Sequence, residues 1–309
     1  MQVRIVDAGS LDIDRHILLL NRSFGQSAWA AQIGTTLTRE FYIWKYFSPA
    51  GEAVISSVLT EGEVASSVSA LPTLFQTPSG VKKGWQIADI ATLPSARRRG
   101  LYRSCLSGLV ERLADQMLVC FPNANSRKEI ERQGFSYATD VRTFVRPLNP
   151  FAGRPAVTRP DNDPGAFENS NSAARSDTYS FFRNRDFLQW RYRTNPACRY
   201  DVISSDAGYC VLRSFDLFGS AVGIVMEIAA DTERAAGELM RETEQVAAGK
   251  GMRANFIMTS SPLVRGLRSR YLPVPRMLLP KRQALFVRTS GAMAPSTRWD
   301  IQIGDWDGL

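Results

Sequence analysis

The apolar positions of residues 87–113 change their period at a single turn. Ile87, Ile90 and Ala91 are apolar residues that suit a strand, and Pro94 ends the ladder because it has no N–H to donate. Apolar side chains then recur on one helical face, at Leu101, Cys105, Leu106, Leu109, Val110 and Leu113. The pattern predicts a strand, a tight turn and a helix.

The same reasoning predicts alternating short strands and helices over the rest of residues 1–148. Strands are expected at 3–6, 53–60, 64–71, 85–91, 117–121 and within 135–145, with a separate one at Phe75 after Pro72. Helices are expected at 13–24, at 39–46 and directly after Pro122. The predicted order is strand, helix, a meander of strands, and then strand, helix, strand, helix, strand.

Residues 146–176 interrupt this pattern. The segment is rich in proline, with Gly, Asn, Asp and Ser between the prolines, which is typical of a linker or a surface loop. Beyond it, residues 185–192 repeat residues 39–46: Arg, an acid, Phe, Trp, a base and Tyr recur at the same offsets. Strands and helices then follow in the same order, and internal duplication is the simplest explanation. We therefore expect domains at 1–148 and 177–309, joined by a linker or wrapping loop at 149–176.

The predicted turn before the helix at Leu101 is strongly basic. A helix N-terminus presents unbonded N–H groups and a partial positive charge, so it attracts anions. Arg97, Arg98 and Arg99 add formal charge there, and Gly100 allows a ligand close to the backbone. The turn is thus predicted to bind a phosphate or pyrophosphate.

The spacing Arg97-x-x-Gly100-x-Tyr102 resembles the acetyl-CoA loop of the GNAT N-acyltransferase superfamily, Gln/Arg-x-x-Gly-x-Gly/Ala. Residues 92–94 match the apolar-x-Pro stretch before that loop, whereas Tyr102 replaces a small residue. A second segment also matches, because the strand at 117–121 leads through a short polar helix to Gly134. The resemblance implies that acyl-CoA is held by Thr92, Leu93, Arg97, Arg98, Arg99, Gly100, Leu101, Tyr102, Arg103, Asn123 and Ser126.

The resemblance further implies an α/β (α+β) fold of tandem GNAT-like domains, each with a mixed, mostly antiparallel sheet flanked by helices. It implies transfer of an acetyl or short acyl group from acyl-CoA to a small amine, such as an amino sugar, by direct attack. Asp89 is the candidate base, and a backbone N–H near Thr92 or Leu93 the candidate oxyanion donor. The family's usual tyrosine is replaced by Ile130, so the acid that protonates the thiolate is unassigned. The acceptor pocket is expected between the two domains, lined by Asp89. Large side chains beside the predicted turns are candidates either for its wall or for helix packing, namely Trp44, Tyr46, Trp190, Arg191 and Tyr192.

Two other functional classes stay open at this point. One is an aminoacyl or long-chain acyl transferase on the same tandem fold. The other is a catalytically inactive protein that binds CoA or another partner through its basic surface, which the missing tyrosine favours.

Charge and composition limit the classes of ligand and partner that we expect for this chain. The net charge is +8, but the basic residues are dispersed and no basic arm appears beyond Arg97–Arg99, so no nucleic acid is expected. No apolar run is long enough to span a membrane, and four cysteines without Cys-x-x-Cys spacing suit a reducing cytoplasm. His16 is the only histidine, which argues against a Ser-His-Asp triad and against a histidine-rich metal site. We expect a structural role for His16.

The second copy is predicted to lack a working cofactor loop. Its Arg234-x-x-Gly237 lies among Asp231, Glu233 and Glu238, whose carboxylates repel a pyrophosphate. In the last residues, Asp305 and Asp307 flank an aromatic residue. They are candidates to hold a cationic amine or sugar hydroxyls, and the alternative is an ordinary polar chain end.

Overall fold

The computed structural model describes residues 3–33, 37–149, 167, 178–263, 270–279, 283–291 and 297–305. Most of the predicted linker at 149–176 and the residues after Asp305, with Asp307 among them, lie outside the described residues. No helix in the described ranges is both long enough and apolar enough to cross a bilayer.

The first part of the chain forms eight strands and four helices within residues 3–149. The strands are β1 Val3–Asp7, β2 Phe47–Ser48, β3 Gly51–Glu52, β4 Val54–Thr60, β5 Glu63–Thr77, β6 Gly80–Thr92, β7 Met117–Cys120 and β8 Ser136–Pro147. The helices are α1 Ile13–Ile33, α2 Arg39–Tyr46, α3 Leu101–Arg112 and α4 Ala124–Arg132.

The second part, within the described residues from 178 to 305, repeats the central run of this order: a helix, three antiparallel strands, a helix and a strand. The strands are β9 Thr178–Phe181, β10 Asp201–Ser205, β11 Gly208–Leu217, β12 Ser220–Ala230, β13 Ala254–Thr259, β14 Leu272–Pro273, β15 Gln283–Arg288 and β16 Arg298–Asp300. The helices are α5 Arg185–Tyr192 and α6 Glu233–Gly249.

The separate strand predicted at Phe75 is wrong, because β5 runs through Pro72 without a break. Pro72 pairs with Trp85 of β6 on one side. On the other side the pairing of β5 with β4 reaches only as far as Ala70, and its pairing with β9 begins at Phe75. On this side Pro72 has no strand partner among the described residues, so its missing N–H costs no hydrogen bond of the sheet.

One sheet of fourteen strands unites both parts within the described residues. Its main path is β1-β4-β5-β6-β7-β15-β8-β13-β12-β11-β10, mostly antiparallel, with parallel pairs at β6–β7 and β12–β13. Strand β15 lies between β7 and β8, and the second half of β8 pairs with β13. The two predicted domains therefore exchange strands, and their boundary at 148 falls just after a strand that both share.

Helices cover both faces of the sheet and form separate cores. Helices α3 and α4 pack on one face of the first half, while α6 packs on the second half. Between the halves, α1, α2 and α5 share one core with residues of both. The predicted fold class, a mostly antiparallel sheet flanked by helices, is confirmed.

Candidate functional site

A gap opens in the sheet between β6 and β7. Their parallel pairing ends at Ile87 and Cys120, while β6 continues to Thr92. Beyond that point one edge of β6 has no strand partner among the described residues. An extended ligand is thus able to lie along this edge.

A bulge shapes β6 inside this gap. Ser67 pairs with Ala91 and Ser69 with Ala88, so β6 carries one residue more than β5. Asp89 lies in the bulge with φ of 45°, a left-handed conformation that is uncommon outside glycine. The bulge turns β6 away from β7 where the gap begins.

The two candidate oxyanion donors differ in availability. The N–H of Leu93 donates to the carbonyl of Ala65 at 2.9 Å. Successive N–H groups of a strand point to opposite edges, so the N–H of Thr92 faces the gap. Of the two residues, Thr92 is therefore the one whose N–H is open to a ligand.

The basic turn forms an open cradle at the N-terminus of α3. Arg98 and Gly100 have φ of 64° and 75°, and no side chain of the described residues caps the helix. Positive φ values in a turn aim successive N–H groups into a concave anion site. A Cβ on Gly100 would meet no atom within 4 Å, so the space above this backbone is open to a ligand.

The arginines around the cradle differ in whether their side chains already have partners within the protein. Arg97 donates to the carbonyl of Ser23 at 3.3 Å, and Arg103 pairs with Glu129 at 3.1 Å. Arg98 and Arg99 are exposed, and neither has an ion-pair partner among the described residues. Arg98 and Arg99 are thus the side chains available to an anion.

Helix α4 begins beside the cradle. Asn123 caps it by accepting hydrogen bonds from the N–H groups of Asn125 and Ser126, at 2.9 and 3.0 Å. The Tyr102 hydroxyl, whose pKa burial raises, donates to the carbonyl of Ser126 at 3.4 Å. Tyr102 therefore joins the N-termini of α3 and α4, and Asn123 keeps only its amide N–H₂ for a ligand. Ile130 is fully buried in the core and carries no proton to transfer.

Asp89 belongs to a buried ion pair. Its side chain is 6% exposed and that of Lys45 3%, and the Lys45 ammonium lies 2.9 Å from each carboxylate oxygen. The Tyr46 hydroxyl donates to Asp89 Oδ2 at 2.5 Å. Both carboxylate oxygens are therefore occupied by residues of α2. The sequence indicated no site role for Lys45, although this residue belongs to the repeated octapeptide.

A polar chain continues from this pair beneath the sheet. Tyr42 stacks on Tyr46 with ring centroids 4.0 Å apart, and its hydroxyl lies 3.0 Å from His16 Nδ1. His16 Nε2 lies 2.9 Å from Ser67 Oγ. Burial lowers the pKa of His16 to about 4, so the imidazole is neutral at pH 7. Its contacts fit the structural role expected for it.

The second half has a related bulge, but its gap is closed by the chain itself. Glu227 lies beside the bulge in β12 and accepts from the hydroxyl of Tyr192 at 2.7 Å. The pairing of β12 with β13 ends at Val225 and Ile257. There the side-chain amide of Gln302 bonds to both the N–H and the carbonyl of Ile228, at 2.7 and 2.9 Å.

The helix that follows this second gap is also closed to a ligand. The side chain of Thr232 caps α6 by accepting from the N–H of Ala235, whereas the corresponding position in the first half is the uncapped Gly100. The structure thus leaves one half with an open gap and an open helix N-terminus, and fills both in the other.

A cleft of about 760 Å³, including its open mouth, lies between the halves. From the first half it is lined by Lys45, Gln86 and residues 71–74. From the second half it is lined by residues of β9 and α5 and by Gly304 and Asp305. Asp89 does not line the cleft itself but reaches it through Lys45.

Comparison with known proteins identifies the fold. Neither a protein-family model nor a curated protein sequence matches the chain. Solved structures do match. A probable N-acyltransferase from Enterococcus faecalis has a TM-score of 0.66 at 12% identity, over 94% of this chain and 73% of that one. A GCN5-related N-acetyltransferase from Anabaena variabilis has a TM-score of 0.65 at 12% identity, over the same shares. The chain has the GNAT fold.

A further solved structure that resembles this chain is that of an enzyme with a long-chain acyl donor. The N-myristoyltransferase of Saccharomyces cerevisiae, solved with bound myristoyl-CoA, has a TM-score of 0.59 at 12% identity, over 96% of this chain and 83% of that one. Identities this low establish the architecture alone. Within the GNAT fold, the gap beside β6 and the cradle at α3 are where the sequence predicted a cofactor.

Proposed function

We propose that the protein is an acyl-CoA-dependent N-acyltransferase with one donor site, in its first half. The observation that carries the proposal is the uncapped N-terminus of α3, with Gly100 open above it, directly beside the gap between β6 and β7. A phosphate ligand fits this position because N–H groups, the helix dipole and two exposed arginines all favour negative charge there.

In this proposal the pyrophosphate of acyl-CoA lies on the backbone of residues 98–102, with Arg98 and Arg99 beside it. The N–H₂ of Asn123 is a further donor to the same ligand. The donor supplies an activated thioester. The chain aligns that thioester with the acceptor, and the N–H of Thr92 stabilises the developing oxyanion.

The acceptor is an amine that enters from the cleft between the halves. An alkylamine has a pKa of ~10 and must lose a proton before it attacks. Asp89 is a buried carboxylate on the same strand as Thr92, but its oxygens are held by Lys45 and Tyr46. Proton removal by Asp89 would therefore run through Lys45, which lines the cleft.

The proposal is tested by titration calorimetry with CoA, followed by thiol release from acyl-CoA. The donor panel runs from acetyl-CoA to myristoyl-CoA, and the acceptor panel holds amino sugars, polyamines, amino acids and arylalkylamines. We expect CoA to bind and at least one amine to accelerate thiol release. A protein that binds no CoA contradicts the proposal, and one that binds CoA without any turnover supports the alternative of an inactive CoA-binding protein.

A further inference from the structure

The cleft between the halves has an apolar, largely aromatic wall. The residues that form it are Leu71, Pro72, Phe181, Phe182, Phe187 and Trp190. Such a surface gains free energy by covering an apolar ligand and gains nothing from a fully hydrated one. A polyamine or a sugar would leave this wall without a partner.

A buried charge cluster adjoins this wall. The guanidinium of Arg183 lies 2.6 Å from Asp305 Oδ2 and 3.1 Å from Glu227 Oε1, and both acidic side chains are wholly buried. Two carboxylates share one cation, so the cluster has an excess of negative charge when both are ionised. Asp305 lines the cleft, and its Oδ1 has no hydrogen-bond partner among the described residues.

The cations that line the cleft have partners outside this cluster. Lys45 is paired with Asp89. The Arg191 guanidinium lies over the ring of Trp44, 5.7 Å from its centroid. Asp305 is a buried acid of the lining with unused hydrogen-bonding capacity, and an ammonium ion is a partner that satisfies it.

We propose that the cleft binds a primary amine with an apolar, ring-sized body, whose ammonium lies against Asp305 and whose body covers the aromatic wall. This inference rests on the proposed function, since it names the class of acceptor for the same site. It favours arylalkylamines over polyamines and amino sugars.

The protonation of Asp305 gives the inference a second, independent readout. Burial raises the pKa of Asp305 to about 7, against the lowering effect of Arg183, while Glu227 and Asp300 raise it further. Tyr192 and Gln302, which pack around it, stay uncharged near pH 7. An alkylamine remains charged up to its pKa of ~10. Amine binding is therefore expected to tighten as pH rises from 6 to 8.

The test measures binding of 2-phenylethylamine by calorimetry, without acyl-CoA, beside its uncharged analogue 2-phenylethanol and the polyamine putrescine. We expect the aromatic amine to bind most tightly. Asp305→Asn is expected to weaken it by roughly 10- to 100-fold, the usual range for a hydrogen bond to a charged group. The matched control is Asp186→Asn, because Asp186 also lines the cleft but is solvent-exposed.

The outcomes separate this inference from the proposed function. Equal binding of the amine and the alcohol, or a flat pH profile in the unaltered protein, overturns the inference even where Asp305→Asn fails to fold. Thiol release with an amino sugar or polyamine but no arylalkylamine overturns the inference and leaves the acyltransferase intact. Amine binding without CoA binding keeps the inference about the cleft and removes the acyltransferase.

Discussion

Trp44 and Trp190 form a reciprocal pair between the two halves of the chain. Their rings stack with centroids 4.8 Å apart, and each indole N–H donates to the other's backbone carbonyl at 2.9 Å. The two tryptophans hold the same place in the repeated octapeptide. Each contact is thus made twice, as expected where two copies of one helix meet across a twofold axis.

The same correspondence extends to the neighbouring residues. Tyr46 donates to Asp89 at the bulge of β6, and Tyr192 donates to Glu227 at the bulge of β12. Both copies therefore anchor a bulge carboxylate to a tyrosine of the repeated helix. This agreement in side-chain geometry supports duplication more strongly than the matching letters do.

Loss of the tryptophan pair is expected to destabilise both halves together. Trp44→Ala and Trp190→Ala should each lower the free energy of unfolding by about 3 kcal/mol. The double variant should lose about 1 kcal/mol less than the sum, because the stacking is lost only once. Urea unfolding measures this, with the 99% exposed Phe218→Ala as control. Strict additivity would show that the pair is not coupled.

The cradle makes a prediction about Gly100 that separates ligand contact from folding. In Gly100→Ala the new Cβ meets no protein atom, so the protein should lose only about 1 kcal/mol from the positive φ. CoA affinity should fall further, because the methyl group occupies the ligand's space. Arg99→Glu should weaken CoA binding more by charge reversal. Titration calorimetry with CoA measures both effects. The control is Arg241→Glu, which makes the same change of charge at an exposed position on α6. Unchanged CoA affinity in both cradle variants would contradict the assignment of the cradle as the CoA site.

The filled second gap predicts one CoA per chain. Gln302 occupies the backbone of Ile228, and Thr232 caps the helix beside it. A saturating titration should therefore give a stoichiometry of one. The open gap and the open helix N-terminus both belong to the first half. Arg99→Glu should therefore remove all of the heat of CoA binding, with none left from a second site. Residual binding at half the original stoichiometry would reveal a second site.

The Lys45–Asp89 pair allows structure and catalysis to be separated at Asp89. Asp89→Asn leaves a buried ammonium without its counter-charge and should cost about 3–5 kcal/mol of stability. Adding Lys45→Met removes that charge and should recover much of the loss. If Asp89 takes part in proton transfer, the double variant should fold and bind CoA but should turn over slowly. Wild-type turnover in the double variant would leave Asp89 a purely structural anchor.

His16 predicts a loss of stability in acid. Its pKa is about 4 in the folded protein, below the ordinary 6.5, so between these values only the unfolded chain binds the proton. Stability from this residue is present above pH 6.5 and is lost as pH falls towards 4, by roughly 2 kcal/mol at pH 5. His16→Gln should show a smaller loss between pH 7.5 and pH 5 in urea unfolding. The difference between the two proteins isolates His16 from the titration of carboxylates, and identical losses contradict the prediction.

Local features of this fold were readable from the sequence. Helix α2 was predicted at its observed bounds from its aromatic residues and the turn at Pro49, and in the structure Thr38 caps it. Helix α3 followed from its apolar period and its basic N-terminus. The pairing of Lys45 with Asp89 was not readable, since it depends on how α2 packs beneath the sheet. Nor does any residue pattern indicate that β15 pairs with β7 and β8, because its apolar face would suit either half.

Strand β15 also sets an order of events during synthesis. Residues 283–288 fill the space between β7 and β8, so the half that carries the cradle is completed by a strand that leaves the ribosome well after β8 itself. Until then β7 and β8 each expose an unpaired edge, which is the feature that most often recruits foreign strands. A chain stopped at residue 148 would keep those edges and aggregate, and the first half therefore depends on translation of the second.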